Sequence, residues 1–158
     1  MAQRRYVEAA SLFSRSMSIL ENAYGSNHPA RATPLNALAR VLLADARYTE
    51  AESLLQESET LLERAVGPQH YQLAETLTGL GELHEQRGDN TLAEPMFRRS
   101  LELYEAALGD DHPLVAEVLG GLATVYANTG HGKEAGRLEE RAVAILAGSQ
   151  CAHRKLEA

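Results

Sequence analysis

The chain has 158 residues, 44% of them hydrophobic, which suits one domain with a buried core. Aromatics make up only 5%, with no Trp, so close-packed helices are favoured over a sheet, and a formal net charge of −7 argues against a nucleic-acid partner. The single cysteine, Cys151, has no internal disulfide partner, and no run approaches the roughly 20 apolar residues of a membrane span; together these predict a cytoplasmic protein without a transmembrane segment.

In chain order, the first element is a helix over about residues 4–23. Arg4 and Arg5 precede apolar residues there, but Ser, Glu and Arg interrupt the run, so it is not a targeting peptide. The segment instead aligns with later parts of the chain. Gly25 and His28 begin a pattern that returns as Gly67/His70 and Gly109/His112, a spacing of 42. The columns Leu35/Leu77/Leu119, Leu38/Leu80/Leu122, Ala9/Ala51/Ala93/Ala135 and Ile19/Leu61/Leu103/Ile145 keep the same register. So many matched columns identify a stacked repeat.

Each unit reads as two helices, giving pairs over about 29–65, 71–107 and 113–147, and seven helices in all. In the second copy Pro34 follows Thr33, which predicts a helix starting late or kinked before Pro34. In the third copy Leu73, Leu77, Leu80, Gly81 and His84 share one helical face, and Gly88 ends that helix. Thr91 with Glu94, and Thr49 with Glu52, read as capping boxes for the second helices, with Pro95 in a first turn. Ala93, Met96, Phe97, Ser100, Leu103 and Tyr104 are expected in the core. Pro113 opens the next unit, and Gly130-His-Gly132 forms its internal turn. The array therefore divides into a lone second helix (4–25), repeats 26–67, 68–109 and 110–147, and a flexible tail over 148–158.

Small residues at Ala39/Gly81/Ala123, Ala51/Ala93/Ala135 and Ser58/Ser100/Ala142 let paired helices approach closely. This pattern, with Gly-x-x-His-Pro at 109–113 and Ala-Glu-x-x-aromatic at 93–97, resembles the tetratricopeptide repeat in the 42-residue form of kinesin light chains. The resemblance covers residues 4–147 and extends to small bacterial kinesin-light-chain-like proteins. It implies an all-α superhelical solenoid of antiparallel helix pairs serving as a non-catalytic scaffold for a protein or peptide. It also permits an oligomerising or cytoskeleton-associated module, such as a partner of bacterial tubulin filaments, or a peptide-sensing regulatory domain. Two departures stand out. Glu139 replaces the apolar residue of the other copies, and the paired groove asparagines of kinesin light chains are here Asn36-Ala37, Thr78-Gly79 and Gly120-Gly121.

In such a solenoid the first helices form the concave wall. The outward positions are then Asn36, Arg40 and Leu43, followed by Glu75, Thr78, Glu82, Glu85 and Gln86, and finally Glu117, Gly121, Thr124 and Asn128. The wall is acidic at its middle, which suits a basic or amphipathic segment, although charged helix faces are also ordinary solvated surfaces. The lack of lysines at these positions excludes a carboxylate clamp. At the open N-terminal end, Tyr6, Phe13 and Ile19 lack their usual neighbouring helix and are candidates for self-association as a homo-oligomer. The repeat histidines sit on successive units about 8–10 Å apart, too far to share a metal with ligands at about 2 Å, and are expected to cap turns. His84 is expected to be packed, and Cys151 with His153 lacks further ligands. No phosphate loop, nucleophile–base pattern or paired acids in a cleft is present, so no catalytic residue, metal or cofactor is expected.

Overall fold

The computed structural model describes the backbone of residues 2–156 and the side chains of Glu8 and residues 11–149. The described elements are all helical: α1 (Ala2–Tyr24), a 3-10 turn (Pro29–Arg31) running into α2 (Ala32–Ala44), α3 (Tyr48–Val66), α4 (Gln72–Gln86), α5 (Asn90–Leu108), α6 (Pro113–Asn128) and α7 (Gly132–Leu156). Helices α2 and α3, α4 and α5, and α6 and α7 form pairs; α1 packs on α2, α3 on α4 and α5 on α6. The even-numbered helices also touch one another in a row, so α2, α4 and α6 form one continuous wall. This is the all-α superhelix of seven helices that the repeat predicts.

Local chemistry sets the turns. Gly88 and Gly130 stand at φ +83° and +84°, and the same place in the preceding unit is held by Ala46 at φ +56°. One residue later the backbone N–H reaches back to the last helical turn: Arg47 to Leu42 O (2.9 Å), Asp89 to His84 O (2.8 Å) and His131 to Tyr126 O (2.8 Å). These are left-handed helix ends that satisfy carbonyls otherwise left open. At the start of each unit the repeat histidine accepts a backbone proton at Nδ1. His28 accepts from Ala30 N (3.2 Å), His70 from Gln72 N (3.3 Å) and His112 from Leu114 N (3.2 Å). The expected turn-capping role is therefore observed in all three copies. A 3-10 turn at Pro29–Arg31 runs directly into α2, which starts at Ala32, so the helix does not wait for Pro34 as the sequence suggests.

Two local expectations are corrected. The first helix of each unit ends so close by that α3 and α5 start at Tyr48 and Asn90, ahead of Thr49 and Thr91. Neither capping box forms, and Glu52 and Glu94 pair instead with Arg87 and Arg98, each at 2.8 Å. Because α5 begins at Asn90, Pro95 lies inside the helix rather than in its first turn, where it deprives the Thr91 carbonyl of a donor. Helix α7 runs on to Leu156, so the backbone shows no break at 147. Gly148 alone costs roughly 1 kcal/mol of helix propensity, too little to stop a helix that its neighbours favour.

The core is built from the small-residue columns. Ala39, Ala51, Ala93, Ala123 and Ala135 are buried, as are Ser58 and Ser100. The Phe97 ring lies between Gly81 and Gly121: a Cβ at these glycines would come within 2.9 and 2.5 Å of it. Buried hydroxyls are satisfied across helices. Thr76 donates to Asn36 Oδ1 (3.1 Å) and meets Ser58 (3.0 Å), while Ser100 donates to Ala74 O (2.8 Å) and meets Thr78 (2.8 Å). Outside, ion pairs tie successive second helices in the repeat register. Arg99 meets Glu63 at 3.2 Å, and 42 residues later Arg141 meets Glu105 at 2.7 Å.

Candidate functional site

The wall formed by α2, α4 and α6 encloses a cleft of about 630 Å³. Its sides carry Asn36 and Arg40 from α2, Gln72, Glu75, Thr78 and Glu82 from α4, and Leu114 and Glu117 from α6. Leu62 and Tyr104, from the second helices α3 and α5, also line it, while His28 and Tyr71 contribute from the segments that precede α2 and α4. Tyr104 is buried within the helix packing yet contributes to the lining, so its ring belongs to the core and the cleft at once.

The cleft holds three carboxylates and one guanidinium. Arg40 reaches from α2 past α4 to Glu117 on α6, with an N–O distance of 2.7 Å across 77 residues of chain. Among the described residues, Glu75 and Glu82 have neither an ion-pair nor a hydrogen-bond partner. Burial works against the charge on Arg40, but Glu117, Glu82 and Glu75 outweigh it and hold its proton more tightly than usual. Burial pushes the Glu82 carboxyl up, Arg40 draws it back, and Glu117 and Glu85 raise it further. For Tyr104, burial and then the charges of Glu75 and Glu117 push the phenol well above its ordinary value. All three shifts record excess negative charge in a partly dry space.

Of the twelve wall positions read from the sequence, Asn36, Arg40, Glu75, Thr78, Glu82 and Glu117 are brought together in this cleft. Four of the twelve do not face outward as expected. Leu43 is buried in the core between α2 and α3. Asn36 and Thr78 are also buried, their oxygens engaged with Thr76 and with Ala74 and Ser100. Their helices cross close to their neighbours, which turns these positions toward the seam between helices. Gly121 is a packing position against Phe97 rather than an open contact surface. Glu85, Gln86, Thr124 and Asn128 lie outside the cleft lining; Thr124 donates to Gly120 O at 3.1 Å and Asn128 to Asn90 at 3.5 Å. The sequence reading missed Tyr104, assigned only to the core, and Tyr71, whose side chain is 45% exposed. A signal existed for Tyr104: it is a phenol in the column otherwise held by Leu20, Leu62 and Leu146.

The N-terminal face is also revised. Phe13 packs against the core cluster of α2 and α3, so it is not an open contact. Ile19 is 59% exposed, although its equivalents Leu61, Leu103 and Ile145 are all buried; Leu12 is exposed beside it. The Tyr6 side chain, with Cys151 and His153, lies outside the described residues. His84 is half-buried as expected, and its Nδ1 has no hydrogen-bond partner among the described residues. The described residues contain no group of three or more His, Cys, Asp or Glu arranged to hold a metal ion, and none of the described helices is long and apolar enough to cross a membrane.

Comparison with known proteins gives a consistent picture. The family model described as "Tetratricopeptide repeat" matches residues 1–64, 35–106 and 72–147. No curated protein sequence matches the chain. Among solved structures, BtubC (BKLC) from P. vanneervenii superposes with a TM-score of 0.77 at 24% identity, over 92% of this chain and 58% of its own. Two crystal structures of kinesin light chain nearly identical TPR-like repeats from Podosopora anserina superpose with TM-scores of 0.68 and 0.65, again at 24% identity. They cover 94% of this chain and 70% of theirs. The chain thus spans little more than half the length of BtubC.

Proposed function

Because the chain belongs to the tetratricopeptide repeat family, whose arrays act as protein-interaction scaffolds, we propose that it takes a basic segment of a partner protein into the cleft between α2, α4 and α6. The observation that carries this reading is the charge of the cleft. Three carboxylates face one guanidinium, and two of the three, Glu75 and Glu82, are without partners among the described residues. A positively charged segment offsets that excess and gains from the reduced dielectric of a partly enclosed site. The apolar lining from Leu62 and Leu114 adds burial for an amphipathic segment.

The test is selection of binders from a random peptide library displayed on phage. Enriched sequences are expected to be rich in Lys and Arg, and their affinity is expected to fall as salt rises from 50 to 500 mM. A Glu75→Gln/Glu82→Gln/Glu117→Gln variant that unfolds like the wild type should lose them. Enrichment of acidic or purely apolar peptides, retained by the variant, would overturn the reading.

A second reading rests on the exposure of Ile19, whose column is buried in every other unit, and on Leu146, exposed where Leu62 and Tyr104 are buried. Both ends of the described array thus present an apolar column, as an oligomerising or filament-associated module would. Sedimentation velocity distinguishes it: self-association predicts a mass that grows with concentration and falls back with Ile19→Glu, whereas a scaffold acting alone predicts a constant mass.

A further inference from the structure

The cleft has a floor of a kind that a merely solvated acidic face does not need. Tyr104 is 5% exposed, and its hydroxyl has no hydrogen-bond partner among the described residues. The oxygen itself is not among the fully buried unpartnered atoms, which among the described residues are Arg31 Nε and His84 Nδ1, so it opens onto the cleft and is free to meet a ligand there. Here the ring packs in the core with Leu103, Leu119 and Leu122, while the residue lines the cleft next to Glu75 and Glu117. Arg40 already shows that a guanidinium is accommodated at this mouth, where it pairs directly with Glu117 and also feels the charges of Glu82 and Glu75 without bonding to them. The unpartnered phenol is independent of the carboxylates: it comes from a second helix, α5, and from the floor rather than the wall.

We infer that the space between Tyr104, Glu75 and Glu82 is a pocket for one arginine side chain of the partner segment. This rests on the reading of the cleft as the docking groove and adds the chemistry of its anchor. A guanidinium donates to two carboxylates at once through its planar fork, which a lysine ammonium does not match. Its remaining N–H is donated to the Tyr104 oxygen, while the Tyr104 hydroxyl proton is donated to a neighbouring carboxylate, so that every buried donor is satisfied. The alkyl stem lies along Leu62 and Leu114. Arginine therefore sets register along the groove, while the rest of the segment contributes through charge alone.

The experiment titrates N-acetyl-arginine amide and its neutral isostere N-acetyl-citrulline amide into the 15N-labelled full chain, following amide shifts. Arginine is expected to move Gly79, Tyr104 and Glu117 with millimolar affinity, and citrulline to bind at least tenfold more weakly. Tyr104→Phe keeps the ring and is expected to weaken arginine several-fold; Glu82→Gln, which leaves the phenol in place, should weaken it similarly. Thermal unfolding of both variants checks that the fold persists. Equal binding of citrulline, or arginine shifts untouched by both substitutions, overturns the pocket. If the library peptides still bind and are lost in the triple glutamine variant, the docking groove stands while the arginine pocket falls. If no basic peptide binds but arginine shifts Tyr104 as expected, the cleft takes a free guanidinium but is no docking groove, and the inference that the arginine belongs to a partner segment falls with that reading.

Discussion

At the scale of single residues, glycine has two opposite uses in α6. Gly120 has nothing within 4 Å of its Cβ position, whereas a Cβ at Gly121 would sit 2.5 Å from the Phe97 ring. Gly120→Ala should therefore stabilise by up to about 1 kcal/mol through helix propensity. Gly121→Ala should destabilise by roughly 1–3 kcal/mol, because an aromatic core residue must shift. Urea unfolding of the two variants checks the pair, and equal effects would show that Phe97 does not seal this seam. The reverse case is Ala46, a non-glycine residue at φ +56° where the other units carry glycine. Relief of a left-handed alanine is worth about 1–2 kcal/mol, reduced by the entropy that glycine adds to the unfolded chain. Ala46→Gly is thus expected to gain about 0.5–1 kcal/mol in the same assay. The sequence shows Ala46 in the Gly88/Gly130 column, but only the backbone angle tells an alternative turn from a strained copy of the same one.

At the scale of elements, the paired helices were legible because small residues recur at fixed spacing and leave one way for each pair to approach. Helix starts were less legible. The Thr49 and Thr91 capping boxes are locally sound, yet the tight turns before them draw the helices forward to Tyr48 and Asn90. The side chains then serve other ends, Glu52 and Glu94 becoming partners of Arg87 and Arg98. A capping preference of about 1 kcal/mol yields when the preceding helix already dictates the chain path. Helix α4 also sets the pH response of the fold. Burial raises the folded Glu82 carboxyl above its unfolded value of about 4.3, with Arg40 only partly offsetting it. In that window the folded state binds more protons than the unfolded one, so stability falls as pH rises through the raised value. Glu82→Gln, neutral throughout, should unfold at higher urea than the wild type at pH 7, and the advantage should vanish near pH 4. A gap independent of pH would show that folding does not raise the Glu82 carboxyl.

At the scale of the whole molecule, a period of 42 residues was enough to specify stacking order, and with it the row α2, α4, α6 that forms one wall. What a repeat cannot specify is where its copies differ in depth. Asn36 and Thr78 are periodic equivalents of open groove positions, but Thr76 for the first, and Ala74 and Ser100 for the second, offer buried partners and turn them into the seam. Arg40, Glu75, Glu82 and Glu117 remain on the cleft because no such partners exist for full charges inside, where an unpaired ion is too costly. Tyr104 was hidden by the opposite logic, since its column is apolar in every other copy and only its hydroxyl distinguishes it. The most direct test of the cleft as the ligand site is amide hydrogen exchange of the full chain with a selected Lys/Arg-rich peptide bound. Protection is expected over residues 32–40, 72–82 and 114–121, the turns of each wall helix that carry the cleft lining. Protection confined to α1 and α7, with those segments unchanged, would contradict it and place binding at the ends of the array.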